Sequence, residues 1–132
     1  MIAVPLAADD VAWEARRAEY AAQLDTGSAF GLVARRGGSA IGYAFVVLSE
    51  GRDSTFALGE RHAELYSLVV APGERGRGVG TVLLDAVDAE LEEVGIRGLV
   101  VAVMEGNDGA LELYRRRGLV PAETYLYRFD PR

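Results

Sequence analysis

Apolar positions recur along this chain with two different periods, and the alternation between them outlines the fold. Val79, Val82, Leu83, Ala86, Val87, Leu91 and Val94 fall at helical spacing, with Asp85, Asp88, Glu92 and Glu93 mostly opposite. This predicts a helix from about Gly78 to Val94, stopped by Gly95. Leu65 to Val70 before it reads as an apolar strand. Gly98 to Met104 after it is apolar throughout, as a strand buried on both faces and paired in parallel would be. Strand, helix and strand with short connections make a βαβ unit.

The flanking segments follow from the same reading. Phe30 to Arg35 and Ala40 to Leu48 are two strands joined by the hairpin signature Arg36-Gly37-Gly38-Ser39. Asp9 or Asp10 caps a helix running to about Leu24, with Val11, Ala15, Ala18 and Ala22 as a thin apolar face beside Trp13 and Tyr20. Ser49 to Arg61 is polar and turn-rich, a surface loop. Asn107 caps a last helix through Arg117, ended by Gly118. Ile2 to Leu6, weakened by Pro5, is a short edge strand, and Leu119-Val120 with Thr124 to Phe129 form a final pair of short strands. The expectation is one α/β domain spanning residues 1–132, with no repeat or linker.

The chemistry concentrates between the central strand and its helix. There Ala71-Pro72-Gly73 turns the chain into a basic, glycine-rich loop holding Arg75, Gly76, Arg77, Gly78 and Gly80. A loop of small residues leading into a helix N-terminus suits an anion, because bare amides and the positive dipole end converge there. The glycines permit close approach or positive φ, and the two arginines suit phosphate. The loop lacks a Gly-Lys-Ser/Thr ending, and no lysine occurs in the chain, so it is not a Walker loop. A dinucleotide fingerprint beginning at Gly76 would need its third glycine at Thr81.

Composition narrows the classes further. Half the residues are apolar and about a quarter charged, as in a globular domain. No run of about 18 apolar residues predicts a membrane span, and the N-terminus has no secretory-signal pattern. The chain has no cysteine and one histidine, which excludes disulfides and thiolate chemistry and argues against a histidine-built metal site. A reducing cytoplasmic setting fits. The net charge of −6 argues against nucleic acid as the main partner; it is compatible with a cationic substrate, and ordinary solubility charge explains it equally.

Arg75-x-x-Gly78-x-Gly80 between strand and helix resembles the acyl-CoA pyrophosphate loop of the GCN5-related N-acetyltransferase (GNAT) superfamily. Asn107-x-x-Ala110-x-x-Leu113-Tyr114-x-x-x-Gly118 resembles a second marker of that family, with Leu119 where phenylalanine is usual. The resemblance implies a mixed, mostly antiparallel sheet of about six or seven strands with flanking helices and a central, splayed parallel pair. The N-terminal stretch has room for about one helix where the family commonly has two.

The resemblance also implies site roles. Backbone amides across Arg75, Gly76, Arg77, Gly78, Val79, Gly80 and Thr81 would hold the pyrophosphate of acetyl-CoA. Backbone groups of Leu68 and Val70 would bond its pantetheine arm, and Asn107 would touch the cofactor besides capping its helix. Tyr114, two helical turns beyond Asn107, would protonate the departing thiolate, as a phenol with a pKa near 10 can at neutral pH. Arg115, Arg116 and Arg117 complement a helix dipole, with contact to a CoA phosphate as the alternative.

A lysine-like amine, with a pKa of about 10.4, is neutral only about once in 2,500 at pH 7, so a base is needed. Glu64 stands eleven residues before Arg75, where a carboxylate serves as base in some members. His62 and Glu60 are alternatives. The implied activity is acetyl transfer to a primary amine of a small molecule or peptide, by direct attack on the thioester. A non-catalytic acyl-CoA-binding module is the other reading, and homodimers are common in the family.

Overall fold

The structure is a computed structural model that describes residues 9–130. Its elements in chain order are α1 (Asp9–Asp25), β1 (Ala29–Arg36), β2 (Ser39–Glu50), β3 (Arg61–Val70), a single 3-10 turn (Pro72–Glu74), α2 (Val79–Glu93), β4 (Gly98–Val101) and α3 (Asp108–Arg116). The described residues form two compact units. One is Arg16–Ala102; the other joins Val103 onward with the start of α1.

In the first unit the four strands lie in the order β1-β2-β3-β4. The first two pairings are antiparallel and β3–β4 is parallel. Both β1 and β2 come out a residue or two longer than their apolar runs, because ladder hydrogen bonds continue past the last buried side chain. Ala44, Val46, Ala63 and Leu65 are buried, and α2 supplies Val79, Leu83, Leu84, Val87 and Leu91 to the same core. Gly42 is the contact that lets α2 approach. A Cβ there would lie 2.8 Å from the Val69 carbonyl oxygen, 3.2 Å from Leu83 and 3.3 Å from Val79.

The buried stripe of α2 differs from the sequence expectation by a rotation. Leu84 lies in the core, while Val82 is 62% exposed and Val94 closes the helix at the surface. Period alone cannot distinguish two stripes offset by one position; the sheet that receives the helix does. Beyond Val94, the amide of Gly95 bonds the Glu92 carbonyl at 3.1 Å and that of Ile96 bonds Leu91 at 2.9 Å. This Schellman closure buries Ile96 beneath the helix end.

Three other expectations are corrected. The sheet has four strands among the described residues, not six or seven. β4 ends at Val101 rather than Met104 and is half-buried, because it forms the sheet edge. Leu119-Val120 and Thr124 to Phe129 carry no strand; Leu119 is half-buried and the other apolar side chains are exposed, Leu126 to 92%. Strand propensity becomes a strand only with a ladder partner, and the described residues offer none there. The expected strand at Ile2 to Leu6 lies outside the described residues. None of the described helices is long and apolar enough to cross a membrane.

Candidate functional site

The site geometry begins with an irregularity in β3. Pairing with β2 shifts register between Phe45 and Val46, leaving Tyr66 as an extra residue between Leu65 and Ser67. Pairing with β4 ends just there, at Leu65 and Val101, while β3 runs on to Val70. The last stretch of β3 therefore has one edge without a strand.

Ladder alternation says which groups face that edge. The Ala71 amide donates to the Ile41 carbonyl at 2.8 Å, so Ile41 and Ala71 form a hydrogen-bonded pair. Alternation makes Tyr43–Val69 and Phe45–Ser67 the next such pairs and turns the backbone groups of Leu68 and Val70 away from β2. The Val70 carbonyl accepts from Arg75 Nε at 3.2 Å on that side. The amides of Leu68 and Val70 thus point to the side where β4, among the described strands, no longer pairs.

The chain then enters the glycine loop. Gly76 and Gly78 have φ of 74° and 84°, and a Cβ on either would meet nothing within 4 Å. Both glycines are required by left-handed backbone, and both face open space. Gly80 lies in the first turn of α2 and its backbone is not left-handed, so of the two uses of a loop glycine only close approach is open to it. Gly78 is the N-cap of α2 and offers no side-chain cap. The first helical bond is from the Val82 amide to the Gly78 carbonyl, 3.1 Å, which leaves the amides of Val79, Gly80 and Thr81 without a helical acceptor. No acidic side chain occupies the first turn. Dipole and donor count both suit an anion at this place.

The arginines are braced rather than free. Glu74 accepts from Arg36 at 3.2 Å and lies 3.5 Å from Arg77, which ties the loop to the end of β1. Arg75 donates from Nε to the Val70 carbonyl at 3.2 Å, so each arginine of the loop has a partner within the protein.

Asn107 and Tyr114 belong to the other unit. Asn107 Oδ1 accepts from the Ala110 amide at 3.1 Å, the expected N-cap of α3. Tyr114 is buried, 8% exposed, and burial pushes its phenol above the usual value. It is therefore protonated at neutral pH, the state in which it can donate. Its carbonyl accepts from Leu119, closing α3 with Gly118 as the left-handed residue. Arg115 and Arg116 occupy the last turn, where they complement the dipole.

The candidate bases separate clearly. Glu60 pairs with Arg52 at 3.0 Å, both exposed. Glu64 and His62 lie on the sheet face opposite α2, since Ala63 and Leu65 between them point into the core. Burial pushes the Glu64 carboxyl up, opposed by the charge of His62 and reinforced by that of Glu19. His62 Nδ1 is buried without a partner.

Other residues on that face were not evident from the sequence. Tyr20 of α1 stacks on Phe45, and its hydroxyl hydrogen-bonds Ser67. Tyr66 stands 6.5 Å from the Tyr20 ring, and its phenol is pushed up by burial and then by Glu64, Glu19 and Tyr20. The helical period of α1 marked Tyr20 as inward-facing; nothing local marked the bulge that brings Tyr66 to the same side.

Comparison with known proteins agrees with this geometry. A sequence model of the Acetyltransferase (GNAT) family matches residues 4–119. The chain belongs to that family. Among curated relatives, the mycothiol acetyltransferase of Propionibacterium freudenreichii is 33% identical over 66 residues, which is 50% of this chain and 21% of that protein. The chain thus spans about a fifth of the length of that relative. A GCN5-related N-acetyltransferase from Ralstonia eutropha matches in structure with TM-score 0.74 and 26% identity, covering 88% of this chain and 74% of that one. The aminoglycoside N-acetyltransferase AAC(6')-Iy, solved with a bisubstrate analogue of CoA, has the same fold at TM-score 0.75 and 21% identity, over 96% and 82% of the two chains. In this GNAT chain, the marker glycines and the uncapped helix end lie at the β3–α2 connection, the first of the βαβ arrangement.

Proposed function

We propose that this GNAT domain transfers the acetyl group of acetyl-CoA to a primary amine by direct attack on the thioester. The observation that carries the reading is two sets of amides on either side of the glycine loop, those of Leu68 and Val70 turned away from β2 and those of Val79, Gly80 and Thr81 at the uncapped end of α2. A long ligand with an amide-bearing arm and a pyrophosphate fits it. Leu68 and Val70 would bond the arm, and Gly76 to Thr81 would hold the phosphates, with Arg75 and Arg77 adding charge. The open space at Gly76 and Gly78 admits the phosphates closely.

The protein's own groups then divide the proton work. Glu64 takes a proton from the amine, and burial, which pushes its carboxyl up, makes its carboxylate a better base. The nitrogen bonds to the carbonyl carbon, the carbon–sulfur bond breaks, and Tyr114 gives its proton to the departing thiolate. The Tyr114 role rests on the Asn107–Gly118 marker and on its neutral phenol. With no cysteine in the chain, direct transfer needs no acyl-enzyme.

Calorimetry with acetyl-CoA, followed by thiol release against an amine panel, tests the reading. Micromolar binding with release is expected. Binding without release from any amine would indicate a non-catalytic acyl-CoA module, and absence of binding would overturn the reading of the loop. Tyr114→Phe is expected to lower kcat roughly 10²-fold, the low end for one general acid, while leaving acetyl-CoA affinity nearly intact. A Tyr114→Phe enzyme with full kcat would refute that role.

A further inference from the structure

An acidic side chain stands among the cations of the glycine loop, where its charge opposes the binding of an anion. Glu74 ends the 3-10 turn, its amide bonded to the Ala71 carbonyl at 2.9 Å, and its side chain is only 17% exposed. Two guanidinium groups meet the same carboxylate oxygen. Arg36 donates from Nε to Glu74 Oε2 at 3.2 Å. Arg77 lies 3.5 Å from that oxygen, longer than a normal N–H···O bond.

Arg36 comes from far along the chain, and the hairpin fixes where it stands. The Gly37-Gly38 turn, left-handed at both residues, sets Arg36 opposite Ser39 at the last pair of the β1–β2 ladder. Between Ala34 and Arg35 the pairing skips Ile41, and the Ile41 carbonyl accepts from the Ala71 amide at 2.8 Å. The irregular end of the hairpin is therefore bound to the start of the loop through backbone as well as through Arg36.

We propose that Arg36 is a positioning residue for the pyrophosphate of the acyl donor: by holding the Glu74 carboxylate, it leaves the Arg77 guanidinium to the anion. This rests on the acetyl-CoA reading above. A guanidinium facing a carboxylate has part of its donor fork occupied and its charge offset, so it attracts phosphate less. Arg36 takes the shorter bond, and Arg77 keeps the longer contact, which an incoming phosphate can displace. Arg36, Glu74, Arg75 and Arg77 together carry a charge of +2. Without Arg36 that charge falls to +1, and the Glu74 carboxylate is left to Arg77.

Calorimetry on the full chain tests this with two probes, acetyl-CoA and inorganic pyrophosphate. Arg36→Gln is expected to weaken both by roughly 5-fold, the effect of one unit charge about 4 Å away in bulk water. The deficit should shrink as salt is raised. Arg36→Lys, which keeps the charge, is expected to restore most of the affinity. Arg36→Gln combined with Glu74→Gln returns the local charge to +2 and is expected to recover the parent affinity. A purely structural tie predicts the opposite, because the double variant breaks it from both sides. Arg36 is exposed at a strand end, so its replacement removes no core packing. Unchanged acetyl-CoA affinity in Arg36→Gln overturns the proposal, as does a double variant as weak as Arg36→Gln alone. Pyrophosphate binding that follows this pattern without any acetyl-CoA binding supports the role of Arg36 while sinking the acetyl-CoA reading. Binding of neither probe overturns both.

Discussion

Replacing Gly78 by alanine separates the two things that this glycine does. Its φ of 84° is left-handed, which costs an L-residue about 1–2 kcal/mol. The added methyl meets no protein atom within 4 Å, so backbone conformation is the whole cost to folding. For a domain of this size that corresponds to a fall in Tm of roughly 3–8 °C. The methyl also enters the space in front of the amides of Val79, Gly80 and Thr81, where a pyrophosphate would lie. A loss of acetyl-CoA affinity of roughly 10-fold or more is expected, as one charge-assisted hydrogen bond is worth at least about 1.5 kcal/mol.

Gly95→Ala is the matched control. Gly95 closes the other end of α2 at φ 73°, again with nothing within 4 Å of a Cβ, so its backbone cost should be equal. Thermal unfolding should show similar falls for the two variants, and calorimetry with acetyl-CoA should show weakened binding for Gly78→Ala alone. Equal affinity in both variants would refute the placement of the anion over the α2 N-terminus. An unchanged Tm in both would refute the left-handed backbone. Gly78→Glu, which adds a carboxylate at the same place, is expected to abolish binding altogether.

Gly98→Ala should destabilise by about 1–3 kcal/mol, the usual range for overpacking, because its Cβ would fall 2.2 Å from the Leu58 carbonyl oxygen. An unaltered denaturant midpoint would show that the loop before β3 does not pack on β4. Glu64 gives a pH signature. Its folded carboxyl is raised above the unfolded value, chiefly by burial, so ionising it costs stability above the unfolded value and costs nothing below it. Glu64→Gln should therefore unfold at equal or higher urea than the parent at pH 7, with the gap closing near pH 4, while losing activity. Destabilisation by that change at pH 7 would mean that ionised Glu64 is held by a favourable partner instead.

Much of the site was legible because its determinants are local. The Asn107 cap needs only the amide three residues on, the loop glycines need only their own φ, and helix periodicity needs only the next turn. Alternation gave the hairpin and β3 in the same way. The directions of Leu68 and Val70 were harder, since they depend on the pairing phase set by Ile41 and Ala71 across the sheet.

The amino-acid sequence by itself determined that this chain has a βαβ unit with an anion-binding turn and a second, tyrosine-bearing helix. Each of those rests on contacts within a few residues. Only tertiary structure decided that α2 buries Leu84 and exposes Val82, that β4 is a short edge, and that residues 119–130 form no strand. It also decided that a bulge in β3 brings Tyr66 beside Tyr20 of α1. These features depend on groups distant in the chain, and no period along a single segment records which partner will arrive. That is why the glycine loop could be found from its spelling, while the aromatic face of β3 emerged only once α1, β2 and β3 were folded together.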